Sequence, residues 1–155
     1  MVHKKTAARR GVAAVEFAAL LPLILVLLMG IIEVGRVVEM SQVISNAARE
    51  GARQASTGQL TNSQVQSVVT QYITTAGFKT DNVTVNVQDL THPGTDVSQA
   101  DYLDRVQVSI TYPYSNVSWS MLSWILPSDY TITCQSTWAS MVDQSFPNFP
   151  DPPVG

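Results

Sequence analysis

The sequence predicts an α+β chain: a long N-terminal helix, transmembrane in its first part, then a second helix and a small three-stranded antiparallel sheet. Three observations predict it. An apolar run long enough to span a membrane lies near the start. One later segment repeats apolar residues at helical spacing, and three more alternate apolar with polar residues.

The membrane segment comes first. Val12 to Ile32 is 21 residues, apolar or small apart from Glu16 and Pro22. At about 1.5 Å per residue such a helix rises ~31 Å, close to the ~30 Å of a hydrocarbon core. A cleaved secretory signal has a shorter apolar region followed by a small-x-small site. Here Glu33, Arg36 and Glu39 follow the run instead. Arg9-Arg10 suggests a twin-arginine export signal, with nothing else in support. Pro22 removes one intrahelical hydrogen bond and should kink the span, which neighbouring helices tolerate in a membrane.

The helix is expected to continue to Ser56, because Glu33 to Ala55 contains no proline and only Gly35 and Gly51 are poor helix formers. Ile32, Val37, Met40, Val43, Ile44, Ala47, Ala48 and Ala52 form one apolar stripe, and Thr57-Gly58 is the stop. The pairs Glu33–Arg36 and Arg36–Glu39 favour the helix weakly, whereas Arg49–Arg53 is like-charged.

The segment "TNSQVQSVVTQYITTAGF" is an amphipathic helix with Val65, Val68, Val69, Tyr72, Ile73 and Ala76 on one face. Asn62 or Ser63 is the expected cap and Gly77 the expected end. "NVTVNV" places Val83, Val85 and Val87 on one face of a strand. Thr91 to Gln99, with His92-Pro93-Gly94, is a loop. "DRVQVSITY" aligns Val106, Val108, Ile110 and Tyr112, and Pro113 ends that strand or places it at an edge. Trp119, Met121, Leu122, Trp124, Ile125 and Leu126 suit a short helix over the core or a membrane-surface segment. "YTITCQSTW" is the third strand, with Tyr130, Ile132, Cys134, Ser136 and Trp138 on one parity, so Cys134 is read as a small core residue. The closing "SFPNFPDPPVG" has four prolines in its 11 residues and is expected to be extended or disordered.

Charge narrows the function classes. Residues 1–11 carry Lys4, Lys5, Arg9 and Arg10 and no acid; the rest holds five basic against twelve acidic residues, a net charge of −7. An acidic body without a basic stripe argues against nucleic-acid binding. The basic cluster instead orients the span, with the N-terminus in the cytoplasm and everything after about Glu33 outside the inner (cytoplasmic) membrane. The lone Cys134 excludes an intrachain disulfide and a paired-cysteine site.

No enzyme site is supported and no cofactor or metal is expected. His92 is a lone loop histidine, read as solvated. Asp89, Asp96, Asp101 and Asp104 cluster around the same loop without the spacing of a calcium loop, so a solvated loop is preferred to a weak cation site. There is no phosphate-binding loop, no serine elbow and no Cys/His pairing. Asn82-Val83-Thr84 and Asn116-Val117-Ser118 match the glycosylation triplet, which is frequent by chance.

With these residues laid out, the chain resembles the TadE-like minor pseudopilins of the tight-adherence (Flp, type IVc) pilus system. The resemblance rests chiefly on "RRGVAAVEFAALLPLILVLLMGIIEVGRVV" and "QVISNAAREGARQA". Within them a basic leader precedes a glycine, and a glutamate stands fifth after that glycine. The later helix and strands are less specific. The resemblance implies a pilin-like helix and cleavage by a membrane prepilin peptidase between Gly11 and Val12, making Glu16 residue five of the mature chain. Phe17 stands where the short fibre-forming pilins usually carry tyrosine, and a folded domain is appended, which favours a minor subunit over the major pilin.

The implied organisation is a cytoplasmic prepilin leader at 1–11, a long helix at 12–58 with 12–32 in the membrane, an extracytoplasmic α+β domain at 59–143 and a tail at 144–155. The implied partners are the prepilin peptidase, other pilin or pseudopilin subunits, inner-membrane assembly proteins and membrane lipid. The implied role is assembly of the pilus, with incorporation into it as one outcome, and hence surface adhesion. A carboxylate deep in a bilayer costs roughly 2.5–3.5 kcal/mol on insertion scales, so it normally has a partner. Glu16 of one subunit could neutralise the new Val12 amine of a neighbour and set register. Alternatively it sits ionised near the cytoplasmic interface beside Arg9 or Arg10. The competing function is an unprocessed, single-pass anchored extracytoplasmic binding protein.

Overall fold

The computed structural model describes residues 4–117 and 130–142, with side chains from residue 11 onward. The expectations for residues 119–126, for the side chains of Lys4, Lys5, Arg9 and Arg10, and for the tail at 144–155 lie outside the described residues. The chain divides into two compact units, Met1–Val38 and Glu39–Gly155. Helix α1 (Lys4–Ser56) contributes to both, with Pro22 inside it.

Helix α1 starts earlier than the expected Val12. The segment from Lys4 to Arg10 holds alanine, lysine and arginine, all good helix formers, and a single glycine at 11 costs only about 1 kcal/mol. In the first unit the side chains from Gly11 to Leu28 are exposed. Its apolar 18-residue window has a mean hydropathy of 2.6. This helix is long and apolar enough to cross a membrane, and it fits a membrane anchor.

In the second unit the last turns of α1 bury Met40, Ile44, Ala47, Ala48, Ala52 and Ala55. The buried stripe begins at Met40: Ile32, assigned to it by periodicity, is exposed, and Val37 and Val43 are half-buried. Glu50 and Arg53 pair across one turn at 2.6 Å, an exposed contact of small energetic value. Gly58 ends the helix in the left-handed region at φ +67°, where its N–H reaches Ala55 O at 3.2 Å.

Helix α2 spans Asn62–Thr75. Its cap is Thr61 rather than Asn62 or Ser63. The Thr61 hydroxyl accepts from the Gln64 N–H, while Gln64 Oε1 accepts from the Thr61 N–H at 2.9 Å, a reciprocal capping box. Gly77 closes the helix at φ +85°, with the Phe78 N–H reaching back to Ile73 O. Val65, Val69 and Ile73 are buried. Val68 is half-buried, and Tyr72 and Ala76 are exposed, so the apolar face is narrower than expected.

The sheet has the order β1-β2-β3, with β1 (Thr84–Asp89) and β3 (Thr131–Ala139) both antiparallel to the central β2 (Arg105–Pro113). Register follows the apolar parity: Val87 faces Val108, and Ile110 lies between Val85 and Cys134. The central strand's Val106, Val108, Ile110 and Tyr112 are fully buried, while Ile132, Cys134 and Ser136 on the edge strand are half-buried. The Tyr112 hydroxyl donates to Lys79 O at 2.5 Å, giving the largest core side chain its polar partner. On the opposite face a polar ladder forms, in which Gln88 and Gln135 flank Gln107 at 3.1 and 3.3 Å. The β1–β2 connection contains a short 3-10 turn at Val97–Gln99 within the segment read as a loop.

Gly51 marks the closest approach in this core. A Cβ there would stand 2.5 Å from Val69 Cγ2 of α2 and 3.4 Å from Val108 Cγ1 of β2. Gly51→Ala should therefore destabilise the full-length chain by about 1–3 kcal/mol through overpacking, despite the better helix propensity of alanine. Gly35→Ala, at a position with open space around it, should be neutral or slightly stabilising. Thermal melts in detergent distinguish the two.

Candidate functional sites

Two regions carry chemistry, one in each unit, and they are described separately. In the first, Gly11, Val12, Glu16 and Phe17 lie on the exposed apolar part of α1. Val12 is 59% and Phe17 60% exposed, and nothing lies within 4 Å of the Gly11 Cβ direction. Val12 and Glu16 are one helical turn apart and share a face. No described side chain forms a hydrogen bond or ion pair with Glu16, so the carboxylate stands on an apolar surface without an intramolecular partner among the described residues.

The second region is the connection from β1 to β2. Asp96 is its anchor. One carboxylate oxygen accepts from the Asn62 N–H at 3.1 Å, at the first turn of α2, and the other accepts from Ser98 N at 3.0 Å and Ser98 Oγ at 2.8 Å. Asn62 Oδ1 in return accepts from the Val97 N–H at 3.1 Å. Burial pushes the Asp96 carboxyl up, but the bonds from Ser98 and Asn62 outweigh it and hold the group below its ordinary value.

Asp89 and Asp104 stand at the other end of the loop. Both are buried, and His92 lies between them with its ring 56% exposed. His92 Nδ1 is 3.1 Å from Asp104 Oδ2 and 4.0 Å from Asp89 Oδ2. Asp89 Oδ1 accepts the Thr91 and His92 N–H groups at 2.7 and 3.1 Å, and Asp104 Oδ2 accepts the Asp101 N–H at 2.7 Å. The hydrogen bond that His92 donates to Asp104, then the charge of that carboxylate, hold the imidazole above its ordinary value. Burial works against ionisation of Asp104, but the Asp101 and His92 contacts prevail and keep its carboxyl low.

Thr91 to Gly94 and Asp101 are exposed, as a solvated loop requires, whereas Asp89 and Asp104 are buried and that part of the reading is corrected. Of the four aspartates, the structure brings Asp89 and Asp104 together with His92; Asp96 is committed to α2, and Asp101 contributes a backbone N–H. The signal was present in the sequence. Asp89 continues the parity of Val85 and Val87, and Asp104 precedes Val106 on the parity of Val108 and Ile110, so both point to the core face. Cys134 is half-buried with Sγ 4.0 Å from Ser41 O, and burial pushes its thiol up, as suits a packing residue.

The Asp96 clamp generates a stability prediction. Asp96→Ala should lower stability by about 1–2 kcal/mol through loss of a cap, while Asp101→Ala should stay within about 0.5 kcal/mol. Because the folded carboxyl is held low, its contribution is present above the unfolded value near ~3.9. It is lost as pH falls through the folded value. Unfolding of parent and Asp96→Ala chains should therefore converge in acid.

Comparison with curated proteins and with solved structures returns no match. Residues 11–53 match the family model described as TadE-like protein. The match begins at Gly11, contains Glu16 and ends within the buried stretch of α1; it does not extend to α2 or the sheet. Over these residues the chain is similar to TadE-like proteins.

Proposed function

We propose that the chain is a minor pilin of a tight-adherence pilus, cut by a prepilin peptidase between Gly11 and Val12. The TadE-like segment implies involvement in such a pilus system; the processing step and the structural role are the finer reading. One observation carries it: a carboxylate, Glu16, stands on an otherwise apolar exposed helix, at the fifth position after the glycine where the family match begins. In hydrocarbon that group needs a partner. Cutting after Gly11 creates an ammonium at Val12 and removes Lys4, Lys5, Arg9 and Arg10, the charges that hold the segment at the cytoplasmic face. Glu16 then pairs with the Val12 amine of a neighbouring subunit, and the pair fixes axial register in a dry interface.

On this reading the N-terminus lies in the cytoplasm before cutting, and residues 59–143 lie outside the inner membrane. The tail at 144–155 follows that domain. The partners are the peptidase, other pilin or pseudopilin subunits and the assembly machinery. The chain acts by assembling rather than by turnover, and the outcome is surface adhesion.

Glu16→Ala should permit cutting but exclude the subunit from sheared fibres, since removing one partner of a buried pair costs about 3–5 kcal/mol. Gly11→Leu should leave uncut chain in the membrane fraction. Immunoblots of membrane and fibre fractions read both effects. Unchanged incorporation of Glu16→Ala contradicts the pairing, and uncut Gly11→Leu chain with full function favours an anchored binding protein.

A further inference from the structure

We propose that Asp89, His92 and Asp104 form a binding site for one divalent transition-metal cation of the Zn2+ class. One ligand atom from each of the three residues lies within 4.8 Å of those of the other two. A second observation points to a ligand rather than to a loop brace alone. The Asp89 side chain is fully buried, and its Oδ2 has no hydrogen-bond partner although Oδ1 has two. This oxygen faces the imidazole at 4.0 Å, too far for a hydrogen bond. A single imidazole N–H already directed to Asp104 at 3.1 Å cannot also serve Asp89. A cation takes one lone pair from each of the three atoms at once, and so satisfies a buried carboxylate oxygen that is otherwise costly to leave without a partner.

The spacing fits a small ion. Ligands about 2.0–2.1 Å from a tetrahedral centre stand about 3.3 Å apart, and the observed separations of 3.1 and 4.0 Å bracket that value. The carboxylates are held by the sheet: Asp89 pairs with Val106 in the β1–β2 register, and Leu90 N–H bonds Arg105 O at 2.7 Å. His92 is the adjustable member, with its ring on the solvent side. An imidazole nitrogen between two carboxylates selects zinc-like ions over Ca2+ and Mg2+, which prefer all-oxygen shells. Three protein ligands leave the remaining coordination to solvent or to a group from a partner molecule. Bound there, the ion ties both ends of the β1–β2 connection, whose middle is already fixed to α2 by Asp96.

The test uses the full-length chain in detergent, stripped of metal and titrated with Zn2+ alone by calorimetry, with thermal melts in parallel. One saturable equivalent and a higher melting temperature are expected. His92→Ala, at an exposed ring, and Asp89→Asn, whose amide oxygen can still accept the Thr91 and His92 N–H groups, should each weaken that equivalent by about tenfold or more. His3→Ala, which removes the other histidine of the chain, should leave it intact. Ca2+ at the same concentration should shift neither readout. Absence of a saturable Zn2+ equivalent, or one unaffected by both His92→Ala and Asp89→Asn, overturns the site; a response to Ca2+ without one to Zn2+ overturns the ion class.

Discussion

The folded unit depends on the seam where the small residues of α1 meet α2 and β2. Ala47, Ala48, Gly51, Ala52 and Ala55 give that helix face almost no side-chain depth, so Val69 and Val108 close directly on its backbone. One helix and three strands bury little apolar surface by themselves. The end of α1 supplies the missing cover, and the fully buried parity of β2 is the surface it covers. Capping, register and loop anchoring then follow from that packing, since each fixes an element already committed to one face.

Much of this was legible in the sequence because the periods are clean. Val106, Val108, Ile110 and Tyr112 alternate without interruption, and all four are buried. Helix α2 was found by its valines and ended by Gly77. Its cap, Thr61, lies one or two residues before the expected Asn62 or Ser63, and Thr61 and Gln64 have capping-box spacing. What could not be read locally is long-range pairing. Asp96 meets Asn62 across 34 residues of chain, and no local pattern announces that contact. The burial of Asp89 and Asp104 lies between these cases. Strand parity places both on the core face, although each borders a loop, where aspartate is commonly solvated.

The start of α1 follows a different logic. There, apart from Glu16, the largely exposed helix from Val12 to Ile32 is apolar all round, and periodicity distinguishes no inner side from an outer one. Lipid or other helices are the natural environment of such a surface. The helix also runs on through Gly11 into the basic segment, because helix propensity alone gives no reason to stop there. The proposed processing point is therefore not written in secondary structure. It rests on the order of charge, glycine and glutamate, and on the family match that begins at Gly11.

The proposed account is of a subunit held in the membrane by its leader until cutting exposes an amine that a neighbouring carboxylate can meet. The most direct measurement is the intact mass and N-terminal sequence of the chain recovered from cells with an active prepilin peptidase. The account predicts a mature chain beginning at Val12. A chain that retains Met1, or one cut after the apolar run, would contradict it.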